Sequence, residues 1–168
     1  SLAAQDGTLA QNPVLVDAFE YARREGKKVH FMGLLSDGGV HSHIDHLVGL
    51  LSAAKSSSLS EVYVHAFMDG RDCDPKSGKG FISQLLEAMK TSGGNLATII
   101  GRYYAMDRDK RWERVKVAYD AMVNGVGEKS TDAVAAVQAS YDADVTDEFI
   151  KPIIMSQPSG APVATIEA

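Results

Sequence analysis

The sequence has 168 residues, of which 45% are hydrophobic, and this is enough to bury one substantial core within the usual size of a single domain. Its formal net charge of -5 argues against a general nucleic-acid-binding protein, because affinity for a phosphate backbone needs a basic stripe that this sequence lacks. No apolar run approaches the about 18 residues of a membrane span, and the single cysteine, Cys73, excludes an intrachain disulfide and fits a reducing compartment.

The first third of the chain predicts a helix, a strand and a second helix. The apolar spacing from Val14 to Ala22 is typical of an amphipathic helix, which Gly26 ends. The apolar run Val29 to Leu35 predicts a strand and leads into the turn signal Ser36-Asp37-Gly38-Gly39. A second amphipathic helix is expected from Ile44 to Ala54.

The same alternation continues through the middle of the chain. A strand is predicted from Glu61 to Met68, followed by a loop from Asp69 to Gly80 and another strand from Leu96 to Ile100. Between these two strands a helix is expected, with an apolar face formed by Phe81, Ile82, Leu85, Leu86 and Met89. A loop from Gly101 to Asp109 follows the second strand.

The last third predicts two helices and a final strand. The spacing of Trp112, Val115, Tyr119 and Met122 by three, four and three residues indicates a helix. A shorter helix is expected around Ala133 to Ala143. Phe149 to Met155 is an apolar segment interrupted by Pro152, which favours an edge strand or a bulge.

Strands that alternate with helices predict an α/β fold. Parallel neighbours need a helical crossover, so we expect a mostly parallel sheet flanked by helices on both faces, in three layers. The early strands are apolar on both faces, as buried parallel strands are. The chain lacks an initial methionine and stops within an apolar stretch, so residues 1–168 are expected to be one domain of a longer protein, cut at both ends.

Three polar segments follow the first three predicted strands. They are Ser36–His43, Asp69–Asp72 and Gly101–Arg108, and we expect them to face one pocket, because ligands of open α/β sheets bind beyond the carboxyl ends of the strands. Five of the seven arginines lie between positions 71 and 114, which suits a small polyanion, since guanidinium groups match carboxylate and phosphate oxygens in pairs. The alternative is that these arginines form structural ion pairs with Asp37, Asp69, Asp72, Asp107 and Asp109.

The histidines suggest two roles. His41, His43 and His46 with Asp37 could hold a metal, but no second acidic or cysteine cluster completes a closed site, so we favour hydrogen bonds from His41 to substrate oxygens. His30 and His65 lie within apolar strands and are expected to be core histidines with satisfied hydrogen bonds. The glycines after Asp37 match neither the dinucleotide-binding nor the phosphate-loop pattern.

Long motifs in a fixed order resemble the cofactor-independent phosphoglycerate mutases. They are Gly33-Leu34-Leu35-Ser36-Asp37-Gly38-Gly39-Val40-His41-Ser42-His43, Asp69-Gly70-Arg71-Asp72, and Gly101 to Arg114, followed by Tyr119 to Gly125 and Asp147-Glu148-Phe149. The resemblance covers nearly the whole chain.

The resemblance implies an enzyme of two domains that interconverts 3-phosphoglycerate and 2-phosphoglycerate through a phosphoserine. One domain is phosphatase-like and carries the serine and two divalent metal ions, expected to be manganese. The other is an inserted domain that binds the glycerate, and this chain resembles only that insert. It is therefore expected to hold no cofactor or metal and to be inactive alone.

The resemblance also implies roles for residues of this chain. His41, Arg71, Asp72, Arg102 and Arg108 would bind the substrate, and Asp72 would also take a proton from the attacking hydroxyl and return one. The implied partners are phosphoglycerate and the missing phosphatase-like domain, with no nucleic acid and no membrane. The implied location is the cytoplasm or an organelle that houses glycolysis.

Two other functions compete with an enzyme fragment. One is a stand-alone module that binds small anions without catalysis, and the other is a metal hydrolase built on the histidine cluster. The acid/base candidate Asp72 and the cut ends favour the enzyme fragment.

Overall fold

The computed structural model describes residues 12–36 and 44–167. The helices in these ranges are α1 (Pro13–Glu25), α2 (Ile44–Ser56), α3 (Gly78–Ser92), α4 (Arg102–Ala105), α5 (Trp112–Asn124) and α6 (Ala133–Asp142). The strands are β1 (Val29–Leu35), β2 (Val62–Met68), β3 (Asn95–Gly101), β4 (Glu128–Ser130) and β5 (Ile153–Met155), and a 3₁₀ turn at Asp147–Phe149 precedes β5. The predicted α/β class is confirmed.

Local sequence explains the ends of the helices. Asn12 caps α1, because its side-chain oxygen accepts the N–H of Val14 at 3.0 Å, and Pro13 suits the first helical position. Gly26 ends the same helix in the left-handed conformation, with φ 62°. At α6 the carboxylate of Asp132 accepts the N–H of Ala135 at 3.0 Å. Polar caps thus fix where these two helices begin.

The five strands form one sheet in the order β1-β2-β3-β5-β4. β1, β2 and β3 are parallel, β5 runs antiparallel to β3, and β4 is parallel to β5. The amide of Gly101 donates to the carbonyl of Ile150 at 2.8 Å, so the chain enters β5 where β3 ends. The mostly parallel sheet is confirmed, and its reversal brings a late segment to the carboxyl ends of β2 and β3.

The predicted edge position of the last strand is wrong. β5 lies between β3 and β4, and Pro152 comes just before the first residue of the strand. The carbonyl of Pro152 accepts the N–H of Glu128 at 3.0 Å, so the proline contributes to the sheet as an acceptor and removes no donor from β5. The outer strand β4 has only three residues and a charged sequence, which offers no apolar alternation to predict it from.

Helices cover both faces of the sheet, as predicted. On one face α1, α2, α3 and α6 pack around a core that includes Leu51, Ile82, Leu85 and Val137. On the other face α5 packs its Ala118 and Ala121 against Ile100 and Ile154. Within the described residues the helices cover the second face less completely, as the 53% exposure of Met32 on the outer strand β1 shows.

The buried face of α5 is not formed by the large apolar residues whose spacing predicts the helix. Trp112 is 79% exposed, and Val115 and Tyr119 are exposed as well, whereas Ala118 and Ala121 are buried. Small side chains let a helix approach a sheet closely, so the alanine face packs inward. Apolar spacing identifies a face of a helix but does not say which face meets the sheet.

Of the two strand histidines, His65 is a core residue, as predicted, whereas His30 is only half-buried. His65 is fully buried, its Nδ1 lies 2.7 Å from Thr98 Oγ1, and its Nε2 lies 2.9 Å from His30 Nδ1. Burial, followed by the charge of His30, lowers the pKa of His65 to about 4. These hydrogen bonds link the three parallel strands.

Among the described residues no helix combines the length and apolarity that crossing a membrane requires.

Candidate functional site

An ion pair joins the carboxyl ends of β2 and β3. Asp69 follows β2, and Arg102 follows Gly101, the last residue of β3. Arg102 Nη1 donates to Asp69 Oδ1 at 2.8 Å and to Asp72 Oδ2 at 3.0 Å. Arg102 and Asp69 are both buried, so the loops after these strands converge as predicted.

Asp69 also shapes the loop that follows it. Its Oδ1 accepts the backbone N–H groups of Arg71 at 3.2 Å and Asp72 at 3.1 Å. Burial by itself would raise the pKa of Asp69, but these donors and the guanidinium of Arg102 lower it below its usual range. Burial by itself would lower the pKa of Arg102, but the hydrogen bonds and charges of Asp69 and Asp72 outweigh burial and raise it. The charged pair is therefore a fixed part of the fold.

The 3₁₀ turn Asp147–Phe149 forms a third wall of the site. Its backbone presses against two glycines: a Cβ on Gly70 would lie 2.8 Å from the nitrogen of Glu148, and one on Gly101 would lie 2.3 Å from its carbonyl oxygen. No real Cβ approaches backbone atoms so closely, and Gly70 also has φ 61°. Glycine at both strand ends thus allows the turn to reach the site.

Asp147 anchors this turn through its buried carboxylate and its backbone N–H. Its carboxylate is fully buried and accepts the N–H of Gly78 at 2.7 Å and the hydroxyl of Tyr141, while its own N–H donates to the carbonyl of Pro75 at 2.9 Å. Burial raises the pKa of Asp147, although the bonds from Tyr141 and Gly78 work in the opposite direction. The anchor joins the turn to the start of α3.

These elements enclose a cleft of about 530 Å³, which is a suitable size for a small metabolite. Four arginines, three acidic residues and three apolar or aromatic residues line it: Arg71, Arg102, Arg108, Arg114, Asp107, Asp109, Glu148, Tyr103, Met106 and Phe149. Phe149 packs on Tyr103 with ring centroids 5.1 Å apart, so an aromatic pair forms part of the wall.

The four arginines divide into two pairs with different surroundings. Arg102 binds Asp69 and Asp72, and Arg114 binds carboxylates of its own loop. Arg71 and Arg108 are exposed and form no ion pair with any residue in the described ranges. Hence arginines in structural ion pairs and arginines without such a partner among the described residues occur side by side in the cleft.

The charge of the site is more balanced than the arginine count suggests. Five carboxylates lie in or beside the cleft, so they offset the four guanidinium groups: Asp69, Asp72, Asp107, Asp109 and Glu148. Attraction for an anion consequently depends on where Arg71 and Arg108 lie rather than on a general excess of positive charge.

The predicted site residues are partly brought together. Arg71, Arg102 and Arg108 line the cleft, and Asp72 lies beside them, bound to Arg102, with its side chain 36% exposed. His41 lies outside the described residues, as do Asp37 and His43, so the prediction for the first loop stays a prediction. In the part of the chain that is described, no three His, Cys, Asp or Glu side chains come together as a metal site.

Several lining residues were not predicted as site residues. Arg114 falls within the arginine-rich segment, but nothing in its spacing assigns it a role, and Tyr103 is marked only by its motif. Glu148 and Phe149 lie about 80 residues from the loop Asp69–Asp72, and only their place in a family motif hinted at them.

Comparisons with known proteins agree with this architecture. A family described as "BPG-independent PGAM N-terminus" (iPGM_N) matches residues 1–168. The chain is 62% identical over 154 residues to a 2,3-bisphosphoglycerate-independent phosphoglycerate mutase of Bacteroides fragilis, covering 92% of this chain and 31% of that protein. It is 57% identical over 166 residues to the protein of the same name from Flavobacterium johnsoniae, covering 99% and 33%.

A solved structure shares the fold. A crystal structure of Leishmania mexicana phosphoglycerate mutase, determined at low cobalt concentration, superposes with a TM-score of 0.86 at 30% identity, over 98% of this chain and 32% of that one. The chain thus spans about a third of the length of the relatives it matches.

Proposed function

The chain belongs to the family of N-terminal segments of cofactor-independent phosphoglycerate mutases, and on this premise we propose that its cleft binds the phosphoglycerate substrate of such an enzyme. The observation that carries the proposal is the pair Arg71 and Arg108, which line the cleft without a carboxylate partner among the described residues. Phosphoglycerate offers a carboxylate and a phosphate, and a guanidinium group can bind either through paired hydrogen bonds.

Arg102 has a different part in this proposal. Its guanidinium holds Asp69 and Asp72, so it supports the site and orients Asp72 more than it reaches for the anion. Arg102 is nevertheless also a proposed substrate-binding residue, because it lines the cleft. His41, which lies outside the described residues, is proposed as a further group that hydrogen-bonds the substrate.

Asp72 is the proposed acid and base. Its carboxylate is held by Arg102 at 3.0 Å and stays partly open to solvent, which suits a group that must exchange protons with a bound hydroxyl. It would take the proton from the glycerate hydroxyl that attacks the phosphorus. It would also give a proton to the glycerate oxygen from which the phosphoryl group is removed. The chain's own contribution would thus be to position the glycerate and move protons.

The rest of the reaction is proposed for the longer enzyme. A serine would accept the phosphoryl group there, and two divalent metal ions, expected to be manganese, would supply charge neutralisation during transfer. Residues 1–168 would form a single substrate-binding domain beside that phosphatase-like part, in the cytoplasm or a glycolytic organelle, without nucleic-acid or membrane partners. The chain alone should then bind substrate but not interconvert 3-phosphoglycerate and 2-phosphoglycerate.

A titration of the chain with 3-phosphoglycerate tests the cleft. We expect weak binding that decreases as salt is added, with amide shifts at Arg71, Arg102 and Arg108. Arg71→Gln and Arg108→Gln should each weaken it. Arg111→Gln is the matched control, because Arg111 is exposed and lies 3.8 Å from its partner Glu113 outside the cleft lining. Shifts confined to another surface, or none at millimolar ligand, would overturn the proposal.

A binding module without catalysis is the second candidate, and one observation favours it. Asp72 is bound to a buried arginine and does not line the cleft, as expected of a structural partner. In the longer enzyme Asp72→Asn should lower kcat about 100- to 10,000-fold if Asp72 transfers protons. A kcat within about tenfold of the parent value would leave only the binding role.

A further inference from the structure

The turn that carries Arg108 is built around a shielded carboxylate. The side chain of Asp107 is closed to solvent, and its oxygens accept the backbone N–H groups of Asp109 at 3.2 Å and Arg111 at 2.6 Å. Arg108 lies inside this turn and is one of the residues that line the cleft. The direction in which Arg108 points therefore depends on the shape that Asp107 gives to the turn.

The turn also contains an uncommon backbone conformation. Lys110 has φ 56°, in the left-handed region that residues other than glycine seldom adopt. Such a conformation persists when the surrounding contacts determine it. The turn is therefore expected to relax if its central contacts are lost.

One guanidinium group makes those central contacts. Arg114 Nη1 donates to Asp107 Oδ1 at 3.1 Å and to Asp109 Oδ2 at 3.0 Å, and its guanidinium carbon lies 3.9 Å from the centre of the Tyr103 ring. The side chain is only 18% exposed. These contacts tie the turn to the start of α5 on one side and to α4 on the other.

We propose that Arg114 is a positioning residue for Arg108, holding the turn around Asp107 so that the Arg108 guanidinium faces the anionic ligand in the cleft. The choice of phosphoglycerate as that ligand rests on the proposed function. Lysine cannot replace Arg114 in this role, because a single ammonium group does not combine two carboxylate contacts with stacking on an aromatic ring.

A double-mutant cycle on the chain tests the proposal. The dissociation constant for 3-phosphoglycerate is measured for the parent, Arg114→Lys, Arg108→Ala and the double variant. We expect Arg114→Lys to weaken binding about tenfold when Arg108 is present and less than about twofold when it is absent, since its effect passes through Arg108. Equal losses in both backgrounds would show that Arg114 acts on the ligand directly and would overturn the positioning role.

Hydrogen exchange without ligand gives a second, independent readout. In Arg114→Lys the amides of Asp109 and Arg111 should exchange at least about tenfold faster than in the parent, while amides of β2 and β3 keep their protection. Arg111→Lys is the matched control, since its side chain is exposed and its backbone bond to Asp107 remains. Unchanged exchange in Arg114→Lys would overturn the proposal.

The two readouts separate this inference from the proposed function. If the parent chain does not bind 3-phosphoglycerate, the proposed function fails, whereas the exchange experiment still decides whether Arg114 holds the turn. If Arg114→Lys does not fold, Tyr103→Leu takes its place in the exchange experiment with the same expected result, because it removes the ring on which the Arg114 guanidinium stacks and leaves the Asp107 oxygens that accept both amides.

Discussion

The carboxylate of Asp69 and the guanidinium of Arg102 lie 2.8 Å apart in the interior and join the ends of two neighbouring strands. Removing two charges from water is costly, and their attraction offsets this cost only when both are present and well hydrogen-bonded. Asp69 meets that condition through Arg102 and two backbone donors. The pair is therefore a point where loss of either partner leaves a buried charge that the remaining hydrogen bonds compensate only in part.

Replacing Arg102 should chiefly destabilise the fold. Arg102→Ala leaves Asp69 buried without its cation, and we expect the free energy of unfolding to fall by about 3–5 kcal/mol, measured by urea denaturation. Lys90→Ala removes an exposed ion pair with Glu87 and should change it by less than about 0.5 kcal/mol. A stable Arg102→Ala chain that loses only ligand affinity would return Arg102 to the purely substrate-binding role that its motif implied.

Stability should depend on the protonation of His65. Its folded pKa of about 4 lies below the value of 6.5 for a free histidine, so the unfolded chain binds a proton more readily between these values. This contribution to stability is fully present above pH 6.5 and is lost as the pH falls toward 4. From pH 7 to pH 5 the loss should be about 2 kcal/mol.

Comparison with a variant isolates this effect from other titrating groups. Urea denaturation at pH 7 and pH 5 should show a smaller pH dependence in His65→Gln than in the parent, because glutamine does not titrate. An equal dependence in the two proteins would mean that His65 keeps an ordinary pKa in the folded chain.

Two glycine substitutions should have opposite effects. Gly101→Ala would place a Cβ 2.3 Å from the carbonyl oxygen of Glu148, so we expect a loss of about 1–3 kcal/mol and a displaced Glu148–Phe149 wall. Gly80→Ala in α3 meets no atom within 4 Å and should stabilise the helix by up to about 1 kcal/mol. Melting temperatures of both variants check this. A neutral Gly101→Ala would show that the turn has room to move.

The orientation of α5 can be tested from both of its sides. Trp112→Gln alters an exposed side chain and should change the unfolding free energy of this chain by less than about 0.5 kcal/mol. Ala121→Leu adds volume where the helix meets the sheet and should cost about 1–3 kcal/mol. The reverse order in denaturation experiments would mean that the side of α5 that carries Trp112 meets the sheet.

Local patterns predicted the elements better than their arrangement. β1 was predicted at Val29–Leu35, where it is found, because an apolar run lies between clear helix and turn signals. The internal position of β5 was not predictable, since Pro152 resembles an edge signal and only the reversed direction of the strand places it within the sheet. The helical spacing of α5 was correct, but its neighbours decide which face is buried.

The candidate site was predictable as a location more than as a set of roles. The strand-end rule placed Arg71 and Arg102 together, because it depends on topology that the alternating pattern already implies. Which of the arginines are ion-paired within the described residues depends on which carboxylates lie nearby. Asp69 and Arg102 are 33 residues apart, so no sequence spacing could reveal their pairing.

The reversed direction of β5 has a consequence for how the cleft comes into being. The loops that carry its arginines belong to the first two thirds of the chain. The wall beside them, the turn Asp147–Phe149, is held there by contacts between Gly70 and Glu148 and between Gly101 and Ile150. Contacts across such long separations form slowly, because the loop between them must close first. We expect pulse-labelled hydrogen exchange to show protection in β2 and β3 before Ile150. A growing chain would then hold its cations in place before it can enclose an anion between them.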